Sequence, residues 1–128
     1  VKVSDADLEA LHPGRDPLAV AGEWARSGPA LVIVTRGAEG ATVLRSDGGM
    51  LTVAGVPVDV VDTVGAGDAF TAGLLAALDD RGLLERSALR AADVGTLRDA
   101  MAYAARVAAV TCTRAGADPP RRSELSAE

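Results

Sequence analysis

The segment "DVVDTVGAGDAFTAGLLAAL", residues 59–78, constrains the fold more than any other. Alternating valines give way to three small residues, a single carboxylate follows, and the chain continues as "AFTAGLLAAL", apolar nearly all round. A helix with that pattern belongs in an interior, covered on every side. The valine-rich lead-in reads as a strand, which puts residues 63–68 at the carboxyl end of a strand and the amino end of a buried helix.

In open α/β sheets that junction is where ligands bind. The first N–H groups of a helix have no intrahelical acceptor and lie at the positive end of its dipole, so the position suits an anion. Gly65, Ala66 and Gly67 leave the backbone uncovered for direct approach of a phosphate oxygen. Asp68 would repel that anion, and two readings of it stand. It is a general base, taking a proton from an alcohol that attacks a phosphoryl group, or it is a first-turn acid that merely favours the dipole by about 0.3–1 kcal/mol. Residue types alone do not separate them.

The rest of the chain supplies the surroundings. "VKVS" is strand-like, and Ser4 then caps a short helix carrying Asp5 and Asp7 in its first turn. A second helix over Asp16–Ser27 presents Leu18, Ala21, Trp24 and Ala25 on one face. The continuous run "ALVIV" reads as a strand covered on both faces, as in a parallel sheet, and the segments around "SDGG" read as an antiparallel hairpin. "DDRGLLERSALRAADVG" is polar and loop-rich. A long helix is expected over Thr96–Thr111, with Arg98, Asp99 and Arg106 toward solvent, and the tail "TRAGADPPRRSELSAE" carries too much proline and charge for the core. One compact α/β unit follows, and with only three aromatics in 128 residues its interior must be built from Ala, Val and Leu.

Several classes of function drop out. The net charge is −5 and the twelve arginines are scattered, which disfavours nucleic acid as a partner. One cysteine, Cys112, and one histidine, His12, leave no disulfide and no zinc site of the usual spacing, and a reducing cytoplasm is the expected compartment. No stretch approaches the ~20 apolar residues that cross a bilayer, so no membrane association is expected. Cys112 reads as a small core residue, His12 as a surface turn residue and Trp24 as packing. The sole lysine, Lys2, is not in a Walker A loop, and "GAGDAF" has Phe70 where a dinucleotide fingerprint needs its third glycine.

"DTVGAGDAF" matches without exception the D-T-x-G-A-G-D-x-F signature of the ribokinase-like (PfkB) carbohydrate kinases, and the chain resembles that family along nearly its whole length. "VKVSDADLEAL" resembles its K-x-N-x-x-E region, "VTRGAEGA" its T-x-G-x-x-G nucleotide loop and "TCTRAGADPP" its closing R-x-G-A segment, with a fructokinase flavour. The resemblance implies a three-layer α/β/α sandwich, with a mainly parallel sheet plus an antiparallel hairpin, that phosphorylates a sugar hydroxyl with ATP. It implies Asp68 as the catalytic base and the amides of Gly65, Ala66 and Gly67 as the anion hole. Thr35, Arg36, Gly37, Ala38, Glu39 and Gly40 would line the ATP phosphates, with Gly67 and Asp68 also at the nucleotide. Asp62, the carbonyl of Val64 and carbonyls near Thr111, Arg114 and Gly116 would hold a monovalent cation such as K⁺, while Mg²⁺ would arrive with ATP.

Departures from the family pattern are specific. Ser4 stands for Asn and Asp7 for Glu in the region that faces Mg²⁺ and phosphate, so their oxygens reach less far; a plain helix cap explains the pair equally well. Ala105 stands where members often place Asn beside the nucleotide base, and Pro120 where some supply a hydroxyl to the cation. Family members are much longer, so residues 1–128 are expected to be the carboxyl-terminal nucleotide and base portion, without the sugar-binding portion and lid. The alternative is a truncated, non-catalytic nucleotide-binding or interaction module that associates with copies of itself or with a separate amino-terminal portion.

Overall fold

The computed structural model describes residues 1–125. Four strands, β1 (Lys2–Ser4), β2 (Leu31–Thr35), β3 (Ala41–Arg45) and β4 (Met50–Val53), form one sheet in the order β1-β2-β3-β4. β1 runs parallel to β2, with Ser4 beside Thr35, whereas β2/β3 and β3/β4 are antiparallel. The sheet is therefore mixed, not mainly parallel. Only Arg36–Gly40 link β2 to β3, and a parallel crossover needs a dozen residues or more. The expected "SDGG" hairpin joins β3 to β4, with Arg45 N–H donating to Gly49 O at 2.9 Å.

Helices cover both faces of this sheet. Side chains alternate along a strand, and β2 sends Leu31 and Ile33 to one side and Val32 and Val34 to the other, all of them buried. On the second side lie α1 (Asp5–Leu11) and α2 (Pro17–Arg26), which bury Leu8, Val20, Ala21 and Ala25. On the first lie α3 (Ala66–Asp79) and α5 (Val94–Cys112), whose Phe70, Leu74, Ala77, Ala100, Met101 and Ala104 meet Ala41, Val43 and Leu51 of the sheet. This is the expected three-layer α/β/α arrangement. The helix starts follow capping chemistry: Ser4 accepts from Asp7 N–H at 3.0 Å, Asp16 from Ala19 N–H at 3.1 Å ahead of Pro17, and Asp93 from Thr96 N–H at 2.9 Å.

Four expectations are corrected. Residues 54–65 form no strand: Gly55 and Pro57 interrupt the pattern, and Val60, Val61 and Val64 stay exposed. The glycine bend thus follows an irregular segment. α3 is not covered on every side, because Ala72 and Leu75 face outward. The polar stretch after α3 contains a short helix, α4 (Arg86–Ala91), held by Arg45, whose guanidinium donates to Ala92 O at 2.8 Å and Arg90 O at 2.6 Å. The tail joins the interior through α6 (Arg122–Leu125), where Leu125 is buried against Ala69 and Val107. His12 ends α1 and meets Trp24 edge-on at 6.1 Å between centroids, and Trp24 packs on the second core as expected.

Gly73 sets the closeness of α3 to α5. A Cβ there would stand 2.9 Å from Val107 Cγ2 and 3.2 Å from the Ala104 Cα. Gly73→Leu overpacks this seam and should cost about 1–2 kcal/mol net of its gain in helix propensity. Ala72→Leu, on the outward face, should stay within about 0.5 kcal/mol. Urea midpoints at unchanged m-value check both.

Candidate active site

A cavity of about 500 Å³ opens at the edge where β1 and β2 end, a size typical of small-molecule sites, roughly 300–1,000 Å³. The turn after β2 gives Thr35, Gly37, Ala38 and Gly40 to one wall. The start of α3 gives Ala66, Gly67 and Phe70, and the end of α5 gives Ala105, Ala108, Ala109 and Cys112. Val56, Pro57, Val58 and Val60 close the remaining side. Two segments far apart in sequence, "TRGAEG" and "VGAGD", thus share one space.

Glycine makes both segments possible. Gly40 has φ +94°, and a Cβ on it would collide with Val53 O, while one on Gly55 would collide with Ala38 O. The turn and the strand exit lie backbone against backbone. Gly65 is the N-cap of α3 at φ +79°, a left-handed conformation in which a Cβ would stand 2.7 Å from that of Ala117. The Ala66 N–H closes the turn onto Thr63 O at 3.2 Å, and the first helical bond runs from Ala69 N–H to Gly65 O at 2.8 Å. At the bend, the N–H groups without a backbone or side-chain acceptor among the described residues are those of Gly65, Gly67 and Asp68. Of the expected Gly65, Ala66 and Gly67, the first and last are open, Ala66 is engaged by Thr63, and Asp68 adds a further open N–H.

Lys2 reaches the same place. Its Nζ lies 3.4 Å from Gly67 O, which also accepts from Thr71 Oγ1 at 2.9 Å. A cation at the positive end of a helix is electrostatically unfavourable by itself, and an anion seated there would be attracted by both. Spacing could not have announced this contact, which joins residues 65 apart. Sequence reasoning also missed Phe70, Ala108, Ala109 and the 56–60 wall; their small or apolar side chains carry no chemical signature.

Other expected residues fall off the cavity wall. Asp68 is exposed, one position beyond Gly67, and does not line the cavity. Arg36 turns away to Thr42 Oγ1 at 3.3 Å and Glu39 at 3.4 Å, both off the cavity wall. Ser4 and Asp7 form a reciprocal capping box, and the Ser4 hydrogen bonds hold the Asp7 carboxyl below the usual carboxylate range. Cys112, expected in the core, is half-buried on the cavity wall.

Hydrogen bonds tie the segment before α3 to the turn after α5, a joint where the expected cation ligands lie. Asp62 accepts N–H bonds from Val64 at 3.0 Å and Gly116 at 2.9 Å, which hold its carboxyl below the usual range. Cys112 O accepts from Val61 and Asp62 N–H, so the 61–64 segment is tied to the end of α5. Thr111 is buried, with its hydroxyl donating to Val107 O at 2.9 Å, and Arg114 turns its guanidinium to Glu124 at 2.6 Å. Among the described residues no group of three or more His, Cys, Asp or Glu side chains is set to hold a metal.

The model of the "pfkB family carbohydrate kinase" matches residues 1–124. The chain belongs to that family. A fructokinase from Rhizobium leguminosarum bv. trifolii is 43% identical over 99 residues, which cover 77% of this chain and 30% of the relative. A fructokinase from Vibrio cholerae O395, solved in a fructose, ADP and potassium ion bound form, superposes with a TM-score of 0.71 at 31% identity over 91% of this chain and 35% of its own. An aminoimidazole riboside kinase from Salmonella enterica, complexed with aminoimidazole riboside and an ATP analog, gives 0.70 at 31% identity over 91% and 36%. The chain thus spans about a third of the length of the pfkB proteins it matches. No helix among the described residues is long and apolar enough to cross a membrane.

Asp62 makes the joint sensitive to acid. Its folded-state pKa is depressed, so its contribution is complete above the unfolded value of about 3.9 and disappears as pH falls through the folded one. Asp62→Asn keeps one acceptor and removes the titration. Thermal midpoints between pH 6 and pH 2 should therefore fall less steeply at the acid end for Asp62→Asn than for the parent.

Proposed function

We propose that these residues are the nucleotide and base part of an ATP-dependent, fructokinase-like sugar kinase, which transfers the γ-phosphoryl group to a sugar hydroxyl. One observation carries the reading. The complete D-T-x-G-A-G-D-x-F signature begins α3 on the same cavity as the "TRGAEG" turn, at the sheet edge where the two parallel strands end.

In this reading Thr35, Gly37, Ala38 and Gly40 border the phosphate chain, and the amides of Gly67 and Asp68 with the Lys2 ammonium take up charge as the γ-phosphoryl group leaves. Asp68 accepts the hydroxyl proton of the attacking sugar. Its exposure leaves the carboxylate open to an acceptor arriving from outside this chain. Mg²⁺, held through phosphates and water, would neutralise the nucleotide, with Ser4 and Asp7 at the adjoining strand end the nearest oxygens expected of this chain. Potassium would sit on carbonyls of Val64, Thr111, Arg114 and Gly116 beside Asp62, ordering the α3 bend. The sugar pocket and lid would lie in the two-thirds of the relatives that this chain does not span, with residues 1–128 their carboxyl-terminal counterpart.

A second reading is a non-catalytic nucleotide-binding or interaction module. Exposed Val60, Val61 and Val64 just before α3, with Leu75 further along it, favour it, since apolar surface beside a site marks where another chain packs.

Asp68→Asn separates the two. In a chain of the relatives' full length it should lower kcat by about 10²–10⁴ while MgADP affinity, measured by calorimetry, stays unchanged. Near-parental turnover would remove Asp68 as the base, and a flat MgADP titration of the parent would remove the nucleotide site itself.

A further inference from the structure

We infer that the base end of this cavity selects purines by size and apolar contact without reading their hydrogen-bonding edge, so that adenine and guanine nucleotides bind alike. The inference rests on the nucleotide-site reading above and specifies its ligand class. With the phosphate chain placed at the glycine turn and the start of α3, the base is left the opposite walls, formed by α5 and residues 56–60. α5 offers the methyl groups of Ala105, Ala108 and Ala109 there, and the facing segment offers Val56, Val58 and Val60 around Pro57, which has no N–H. Apart from the hydroxyls of Thr35 at the glycine turn and Thr63 at the α3 bend, the one side-chain heteroatom on the cavity wall is the Cys112 sulfur, a weak donor and acceptor.

Adenine and guanine share shape but present opposite patterns at their edges. A site that hydrogen-bonds one base rejects the other strongly, because its own buried polar groups are left unpaired, by factors of about 10⁴–10⁵ in the best-built cases. Apolar walls leave nothing unpaired with either base. Main-chain groups could still discriminate if they were fixed in place. Among the described residues, however, no backbone hydrogen bond holds the chain from Ala54 to Val60; the first is Val61 N–H to Cys112 O, at 2.8 Å. This wall can offer an N–H or a C=O to either edge with little rearrangement. What the walls do measure is area, and a pyrimidine leaves part of them uncovered.

The test is isothermal titration of the 128-residue chain with ADP, GDP and UDP, each with Mg²⁺, followed by GDP titration at saturating ADP. The expected result is ADP and GDP dissociation constants within about tenfold of one another, a weaker UDP, and loss of the GDP heat once ADP is bound. ADP binding more than tenfold tighter than GDP overturns this inference alone and leaves the nucleotide site standing. UDP binding as tightly as the purines, or GDP heat that persists at ADP saturation, also overturns it, by showing that the base lies outside these walls. No binding by any of the three overturns both the inference and the reading beneath it.

Discussion

The seam between α3 and α5 decides where the cavity of this chain sits. Gly73 lets α3 rest on Ala104 and Val107, and Ala69, Ala77, Ala100 and Ala104 keep the rest of the contact shallow. Small residues allow helices to approach toward the lower end of the usual 8–10 Å. Because α5 is itself anchored on the sheet through Leu97, Met101 and Ala104, its close contact sets both the height and the direction of α3. The amino end of α3 is thereby aimed at the sheet edge where β1 and β2 finish. The cavity is the space left between that helix end, the glycine turn and the close of α5.

At this spot the charges are arranged in opposition. Open N–H groups and the Lys2 ammonium gather where the helix dipole is already positive, while Asp68 places a carboxylate on the same first turn. Either charge alone would have an ordinary structural explanation. Together they place donors for an anion and a carboxylate on one turn, the pairing on which the proposed phosphoryl transfer rests. Asp62 serves the arrangement from behind, because its two N–H bonds lock the segment before the bend against the turn after α5.

Elements governed by local chemistry were legible before the fold. Ser4 and the Asp16-Pro17 pair mark helix starts by their own side chains, and "ALVIV" shows two-sided burial by its unbroken apolar run. α5 begins at Val94, ahead of the expected Thr96, because its cap is Asp93 and the intervening Val94 and Gly95 are poor helix formers. The strand expected over the valines before the bend failed for lack of a partner, since a valine run is a strand only when a neighbour accepts its hydrogen bonds. Leu125 was hidden for the opposite reason: one apolar residue within a charged tail is enough to seat it when Ala69 and Val107 leave a gap of the right shape. Of the candidate site, Thr35, Gly37, Ala38, Gly40, Ala66 and Gly67 were legible through their motifs, and all line the cavity. Arg36 and Glu39 belong to the same motif yet turn outward, because neighbours on a tight turn cannot all face one side.

By itself the sequence determined the α/β class, the capped helices, the glycine bend and the acid that follows it, since each depends on the backbone freedom, charge or periodicity of residues close together in the chain. Only the tertiary structure decided that the two glycine motifs border one cavity, that Lys2 reaches Gly67, that Ala66 N–H is engaged while those of Gly65, Gly67 and Asp68 stay open, and that methyl groups of α5 form the far wall. These are contacts between distant segments, and they follow from the distance at which two helices and a sheet can pack, which no local pattern records.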